Sequence, residues 1–426
     1  MLLQFSCSNH KSIKDTVIFS MIASSDTDNS KYLKKYKGLN VLRVASIYGA
    51  NGSGKSNFVS AIGFAANLIT NSLYNPPEMP LLQVPHKLSD ISTPSTYEFQ
   101  FVAEDIRYVY GFSIKNSQID EEYFYYFPNN RRAKIFERLG MHIVSGTKYK
   151  NAFKLSEGAL KPNRLFFTCI ANYSNVEEVL IAYRFFAQDL ILYRVSVNEP
   201  SIDYWYQYSV NLIKDKPEIK MACLELLKSF DTGIEDIDAK IEDVDVSTLP
   251  KISSEVLKTL MNFSISGDGN LKDYRVKVKY EQFETDLSTE ESTGIKQLFQ
   301  ILCPIIDILN SGKILIYDEI ETGLHEMIVH RLIELFYFLA PHNFAQLIFT
   351  THDTTLLDMN LFRRDQIWFT QLTPERSTEL YSLIELKNVR KNEKLSKGYI
   401  SGKYGAIPLL NQNLAKIIST SWEQET

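Results

Sequence analysis

The run Gly49-Ala50-Asn51-Gly52-Ser53-Gly54-Lys55-Ser56-Asn57 constrains this chain more than any other feature. Its first eight residues match a glycine, four variable positions and Gly-Lys-Ser. Before it, Val44-Ala45-Ser46-Ile47-Tyr48 is a compact apolar run that predicts a buried strand. After it, Phe58, Ala61, Ile62, Ala65, Ala66 and Ile69 recur at helical spacing, which predicts a helix ending before Asn75-Pro76-Pro77. Glycines let backbone N–H groups curl around phosphate oxygens with no Cβ in the way, and a helix N-terminus adds its positive end. Lys55 is placed to reach the β- and γ-phosphates, and Ser56 to ligand Mg²⁺. Gly49 through Asn57 are therefore candidate phosphate-binding residues.

A second strand, Ile314-Leu315-Ile316-Tyr317, ends in Asp318-Glu319. A buried strand ending in two acids can bring one carboxylate to a metal and the next to an attacking water. Asp318 is the candidate Mg²⁺ ligand and Glu319 the candidate general base. Asp318 follows Lys55 at a distance very long for a simple phosphate-loop fold. Upstream lies Glu291-Ser292-Thr293-Gly294 at the start of a helical pattern that Gly312 closes. Downstream, Gln346-Leu347-Ile348-Phe349-Thr350-Thr351 reads as a strand that delivers His352.

Composition excludes several classes. Of 426 residues 44% are hydrophobic and 23% charged, which is ordinary globular usage, and the net charge of −5 supplies no global basic field for nucleic acid. Cys7, Cys169, Cys223 and Cys303 are scattered without a Cys-x-x-Cys pair, which argues against a zinc site or a disulfide framework. The opening MLLQFSCSNHKSIKD turns polar too soon for a signal peptide, and no apolar run is long enough to span a membrane. A cytoplasmic location is expected.

Elsewhere, Phe5 and Val17-Ile18-Phe19 predict two short strands. The segment from Asp26 to Asn40 reads as a loop. YEFQFVAEDIRYVYGFSI, EEYFYYF and AKIFERLG predict further strands of one sheet. Helical periodicity dominates from Asn163 to about Ile241, with VEEVLIAYRFFAQDLI and MACLELLKSF its clearest pieces. Strands return at LMNFSIS and DYRVKVKYEQF. From Leu287 to about residue 370 helix and strand alternate, the pattern of a parallel sheet.

Phosphate loop, Ser-x-Gly at a helix start, apolar-Asp-Glu and strand-Thr-His, in that order, resemble the ABC-type ATPases of the SMC, RecF and OLD kind. The resemblance implies an α/β fold: an ABC-type P-loop ATPase head with a mixed β-sheet lobe and a mainly helical insertion. It implies that Ser292 and Gly294 form a signature motif reaching across a head-to-head dimer to the γ-phosphate on a second copy. It places Glu321-Thr322-Gly323-Leu324-His325 at the D-loop and makes His352 the switch histidine. The signature departs from the usual LSGG at Thr293, and Gln83 and Gln100 both stand as candidates for the Q-loop residue.

Val84-Pro85-His86-Lys87-Leu88, Tyr108-Val109-Tyr110-Gly111-Phe112, Ile135-Phe136-Glu137-Arg138, Asp231-Thr232-Gly233-Ile234-Glu235-Asp236 and the segment from Tyr399 to Pro408 are similar to prokaryotic AAA ATPases of abortive-infection operons. These are AbiL-like proteins with an RloB-type partner, with PtuA-like proteins as more distant kin. The implied organisation is an N-terminal ATPase lobe over 1–160, a mainly helical insertion over 161–245, and a C-terminal ATPase lobe over 246–426. The implied activity is hydrolysis of ATP with Mg²⁺, controlling a separately encoded toxin or nuclease in anti-phage defence. A RecF- or SMC-like repair ATPase is the alternative, and a transporter ATPase subunit a weaker one. No Asn-Lys-x-Asp element argues for GTP.

The acidic run Glu235, Asp236, Asp238, Glu242, Asp243 and Asp245 has no histidine with it and reads as a solvated connection. The stretch after His352 holds no Asp-x-Asp pair, so no nuclease domain is expected there. Two basic runs, Arg131, Arg132, Lys134 and Arg138, and Lys387, Arg390, Lys391, Lys394, Lys397 and Lys403, are solvated faces or contacts for a partner or nucleic acid.

Overall fold

The computed structural model describes residues 1–26, 33–194, 201–244, 263–265, 271–338, 344–387, 389 and 393–408. Of the features singled out above, Asp245, Arg390 and Lys391 and parts of the Asp26–Asn40 and LMNFSIS segments lie outside these residues.

The strand Val44–Gly49 lies inside a six-stranded sheet. The order is Leu190–Arg194, Ile314–Asp318, Gln346–Thr351, Val44–Gly49, Ile367–Leu372 and Thr378–Ser382. The first five strands run parallel and the sixth antiparallel. Both faces of the central strands are covered, which is why they read as continuous apolar runs. Ala45, Ile47, Ile314, Ile316 and Ile348 face one core, shared with the helix Lys55–Asn71. Val44, Tyr48, Leu315, Tyr317 and Leu347 face the other, shared with the helices Thr293–Ser311 and Glu326–Phe338.

The first core is closed by a seven-stranded antiparallel sheet, ordered His142–Ser145, Ala133–Leu139, Gln118–Tyr126, Ile106–Lys115, Ser95–Ala103, Leu2–Ser8 and Val17–Ser20. Its inner face is aromatic: Phe101 stacks on Tyr108 at 5.3 Å and on Phe185 at 4.2 Å between ring centroids. A carboxylate is buried beside this layer. Glu122 accepts from the backbone of Phe166 and Phe167 at 2.8 Å each, satisfying open N–H groups at the start of the helix Phe166–Tyr173. It also pairs with Arg138 at 3.1 Å, both side chains fully buried. Arg138 is thus an internal ion-pair partner and not part of a basic surface. The neighbouring Lys134 pairs with Glu137, and Arg132 stacks over Tyr125.

Three readings need correction. The segment from Asp26 to Asn40 is not all loop: Leu33–Tyr36 pairs antiparallel with Leu39–Leu42. The pattern VEEVLIAYRFFAQDLI is not one helix: Glu177–Arg184 is α-helical, Phe185–Asp189 forms a π turn, and Leu190–Arg194 is a strand beside Ile314–Asp318. The acidic run is not a connection. Asp236–Val244 is a strand antiparallel to Leu271–Lys279, where Asp236 sits opposite Lys279 and Asp238 opposite Lys277. Beside the basic run that ends at Lys403, Tyr399 and Tyr404 are buried, and both stack on Phe369.

The helices Ser201–Asp215 and Pro217–Ser229 pack on Thr293–Ser311, so this part of the chain touches the helix that Ser292 caps. Among the described residues no helix is long and apolar enough to cross a membrane. All four cysteines are buried and free.

Candidate nucleotide site

The site lies at the C-terminal ends of three neighbouring parallel strands, where open α/β sheets hold ligands. The first supplies the phosphate loop. A Cβ on Gly49 would lie 2.3 Å from Thr370 Oγ1, and one on Gly54 2.1 Å from Thr378 Oγ1, with Gly54 at φ 109°. Only glycine fits either place. The loop is fastened from behind: Ser53 Oγ lies 2.6 Å from Thr370 Oγ1, and Thr378 Oγ1 donates to the Ser53 carbonyl at 2.9 Å. Asn57, expected at the phosphates, donates from Nδ2 to Ser12 Oγ at 2.7 Å, which ties the helix to the turn after the first strand.

Lys55 is 5% exposed. Its Nζ donates to the carbonyls of Gly49 at 2.7 Å and Ala50 at 3.2 Å, and to His352 Nδ1 at 3.3 Å. Burial lowers its pKa to about 8, against the opposing pull of Glu319, Glu321 and Asp318. His352 is likewise held below its usual value, by burial first and then by the Lys55 charge, which leaves Nδ1 free to accept.

The second strand delivers Asp318, 7% exposed. Its Oδ1 accepts from Ser56 Oγ at 3.2 Å and from Thr350 Oγ1 at 2.7 Å. Thr350, on the third strand, also accepts from the Glu319 backbone N–H at 2.7 Å. That bond and one from Ile320 N to the Thr350 carbonyl pin Glu319 at φ 60°, a left-handed backbone that costs a non-glycine residue about 1–3 kcal/mol. The strained turn aims the Glu319 carboxylate outward, where its Oε1 lies 4.0 Å from His352 Nε2. Sequence reasoning missed Thr350. Its only signal was a hydroxyl two positions before His352.

Asn51, Gly52, Gly54, Lys55, Ser56, Asn57, Glu319 and His352 line one cleft of about 450 Å³. Asp318 is not in that lining and reaches it through its bond from Ser56. Ser292 and Gly294 are not in that lining. Ser292 caps the helix Thr293–Ser311 by accepting from Ile295 N at 3.3 Å, and it is exposed. A Cβ on Gly294 would lie 3.6 Å from the Gly323 carbonyl, and one on Gly323 would meet Gln297 Oε1 at 1.9 Å. The helix Thr293–Ser311 is therefore packed directly against the turn that follows Glu319. Gln100 is occupied by Arg107 and Glu98 on the antiparallel sheet. Gln83 Oε1 is buried with no hydrogen-bond partner among the described residues, and neither glutamine lines the cleft.

Among the described residues no three His, Cys, Asp or Glu side chains gather as a resident metal site. Ser56 and Asp318 fit the other case, a Mg²⁺ ion brought in by a nucleotide triphosphate, for which one hydroxyl and one carboxylate suffice.

A glycine-shaped loop around a buried lysine, at the tip of a parallel sheet and facing an acid pair, defines a phosphate-loop nucleotide-binding domain. A family model described as "AAA domain, putative AbiEii toxin, Type IV TA system" matches residues 44–140 and 226–358, more than half of the chain, and the chain belongs to that family. The first stretch contains the phosphate loop and the second Ser292, Asp318, Glu319 and His352. No curated protein matches.

Among solved structures the chain is similar at 13% identity to three SMC heads. One is an SMC head bound to the C-terminal winged-helix domain of ScpA, with 89% of this chain and 97% of that one covered at TM-score 0.44. The second is the SMC head domain from Thermotoga maritima, with 89% and 98% covered at 0.41. The third, from Pyrococcus furiosus, is an Smc head with an extended coiled coil bound to the C-terminal domain of ScpA, with 95% and 98% covered at 0.43.

Proposed function

We propose that this protein binds and hydrolyses ATP as the switch subunit of a two-component anti-phage or toxin–antitoxin system. The observation that carries the reading is the meeting of Lys55, Ser56, Asp318, Glu319 and His352 around one cleft, from elements far apart in the chain. Lys55 and the loop N–H groups hold the β- and γ-phosphates, and Ser56 and Asp318 hold the Mg²⁺ that accompanies them. Glu319 takes the proton of the attacking water, and His352 contacts the γ-phosphate. Proton transfer to a carboxylate is the one bond-making task the protein performs; the rest is positioning and charge.

The exposed Ser292 and the backbone of Gly294 complete the site of a second copy, so hydrolysis belongs to a head-to-head pair. The family's toxin–antitoxin description and the resemblance to abortive-infection ATPases support a separately encoded effector. The lobe over 161–245 is its proposed docking surface, because two of its helices, Ser201–Asp215 and Pro217–Ser229, pack on the helix Thr293–Ser311 and so move with it. The basic stretch from Lys387 to Lys403 is a second. Phosphate release by the purified chain tests the catalytic reading. Lys55→Ala is expected to lose both binding and turnover, and Glu319→Gln to bind ATP and turn it over orders of magnitude more slowly. Wild-type turnover in Glu319→Gln would move the base elsewhere. Full phage protection by this gene without its neighbour would contradict the two-component reading.

A further inference from the structure

Glu321 is a third carboxylate at the acid strand, and the mechanism above does not use it. One oxygen, Oε1, accepts the backbone N–H of His352. The other, Oε2, is buried and accepts from no group among the described residues. The placement of the Oε1 bond indicates what the residue does. His352 N–H is the first beyond the strand Gln346–Thr351, so the Glu321 bond fixes where the chain leaves the sheet. The imidazole that follows bridges the two halves of the site, with Nδ1 3.3 Å from Lys55 Nζ and Nε2 4.0 Å from Glu319 Oε1. Glu321 is itself set by the turn that carries Glu319, since Thr322 N bonds the Glu319 carbonyl and Leu324 N bonds that of Glu321.

Resting on the ATPase reading, we propose that Glu321 is a positioning residue for hydrolysis: its carboxylate clamps the His352 backbone and so holds the imidazole between Lys55 and Glu319. Glu321 touches neither phosphate nor water in this scheme. Its effect passes entirely through His352.

The test is a double-mutant cycle on ATP turnover and nucleotide affinity with Glu321→Ala, Glu321→Gln, His352→Ala and Glu321→Ala/His352→Ala. Misplacing a catalytic group by about 1 Å costs up to about 100-fold. Glu321→Ala should therefore lower kcat by about 10- to 100-fold while nucleotide affinity changes by less than about threefold. Glu321→Gln should recover most of the turnover, because its amide oxygen still accepts the His352 N–H. In the His352→Ala background, Glu321→Ala should add less than about twofold, the mark of two residues acting as one unit. Full multiplicative losses in the double variant, or Glu321→Gln as inactive as Glu321→Ala, would overturn the proposal.

Ring ¹⁵N resonances of His352 give a readout that needs no turnover. They should match between wild type and Glu321→Gln and shift in Glu321→Ala, or in Glu321→Asp if the alanine variant does not fold. Unchanged resonances in every variant would also overturn it. Absence of ATP turnover in the wild type would sink the functional reading, while the resonances would still decide the clamp.

Discussion

Raising the pH should weaken nucleotide binding at a value set by Lys55. The residue is 5% exposed, and burial brings its pKa from the usual 10.5 to about 8. A bound polyphosphate favours the charged form, so the complex keeps its proton where the free site loses it. Lys55 is about nine-tenths charged at pH 7 and about one-tenth at pH 9, so affinity should fall about tenfold between them, or about 1.4 kcal/mol. Calorimetry with a non-hydrolysable ATP analogue in buffers of different ionisation enthalpy reads both quantities. Uptake should rise from about 0.1 proton per site at pH 7 to about 0.9 at pH 9. Stability should move the other way. The folded pKa is depressed, so the unfolded chain binds more protons between about 8 and 10.5, and this lysine's contribution to stability grows as pH rises through that window. Affinity flat from pH 7 to 9.5 with no proton uptake would refute the account of Lys55 as a buried, phosphate-pairing cation.

Further outcomes follow from the same geometry. Mixing Lys55→Ala subunits with Ser292→Arg subunits should restore part of the turnover that each lacks alone, since one composite site regains all its wild-type parts; no rescue in proven mixed dimers would count against completion in trans. Gly54→Ala should abolish nucleotide binding and cost at least about 1–3 kcal/mol of stability, because alanine is strained at φ 109° and its Cβ meets Thr378; calorimetry and denaturant titration check both. Arg138→Met should destabilise by about 3–5 kcal/mol by leaving Glu122 charged and buried, and denaturant titration against wild type measures it.

The phosphate loop and the acid pair were legible because their chemistry is local. Gly49 and Gly54 are dictated by backbone shape within a single turn, and Asp318-Glu319 end a run buried on both faces. The strand Leu190–Arg194 was not legible. Five apolar-rich residues after a helical repeat keep the helix's hydrophobicity, and the π turn at Phe185–Asp189 that breaks its phase leaves no compositional mark. In Asp236–Val244 the alternation of Ile237, Ala239 and Ile241 was present, but the charges between them outweighed it; only the pairing places Asp236 and Asp238 opposite Lys279 and Lys277. The Thr350 hydroxyl makes two hydrogen bonds to Asp318 and Glu319 on the neighbouring segment, and Glu321 makes one to the residue just beyond the next strand. Such bonds depend on which segments the fold places side by side, and a single sequence does not encode that locally.

The account turns on nucleotide joining two heads, and sedimentation tests this most directly. Glu319→Gln, which binds ATP without consuming it, should sediment as a single 49.0 kDa chain without nucleotide and as a pair with ATP and Mg²⁺. Adding Ser292→Arg to the same chain should abolish the pairing while leaving ATP binding intact. A Glu319→Gln protein that stays monomeric at saturating ATP and Mg²⁺, or that pairs equally with and without them, would contradict the account.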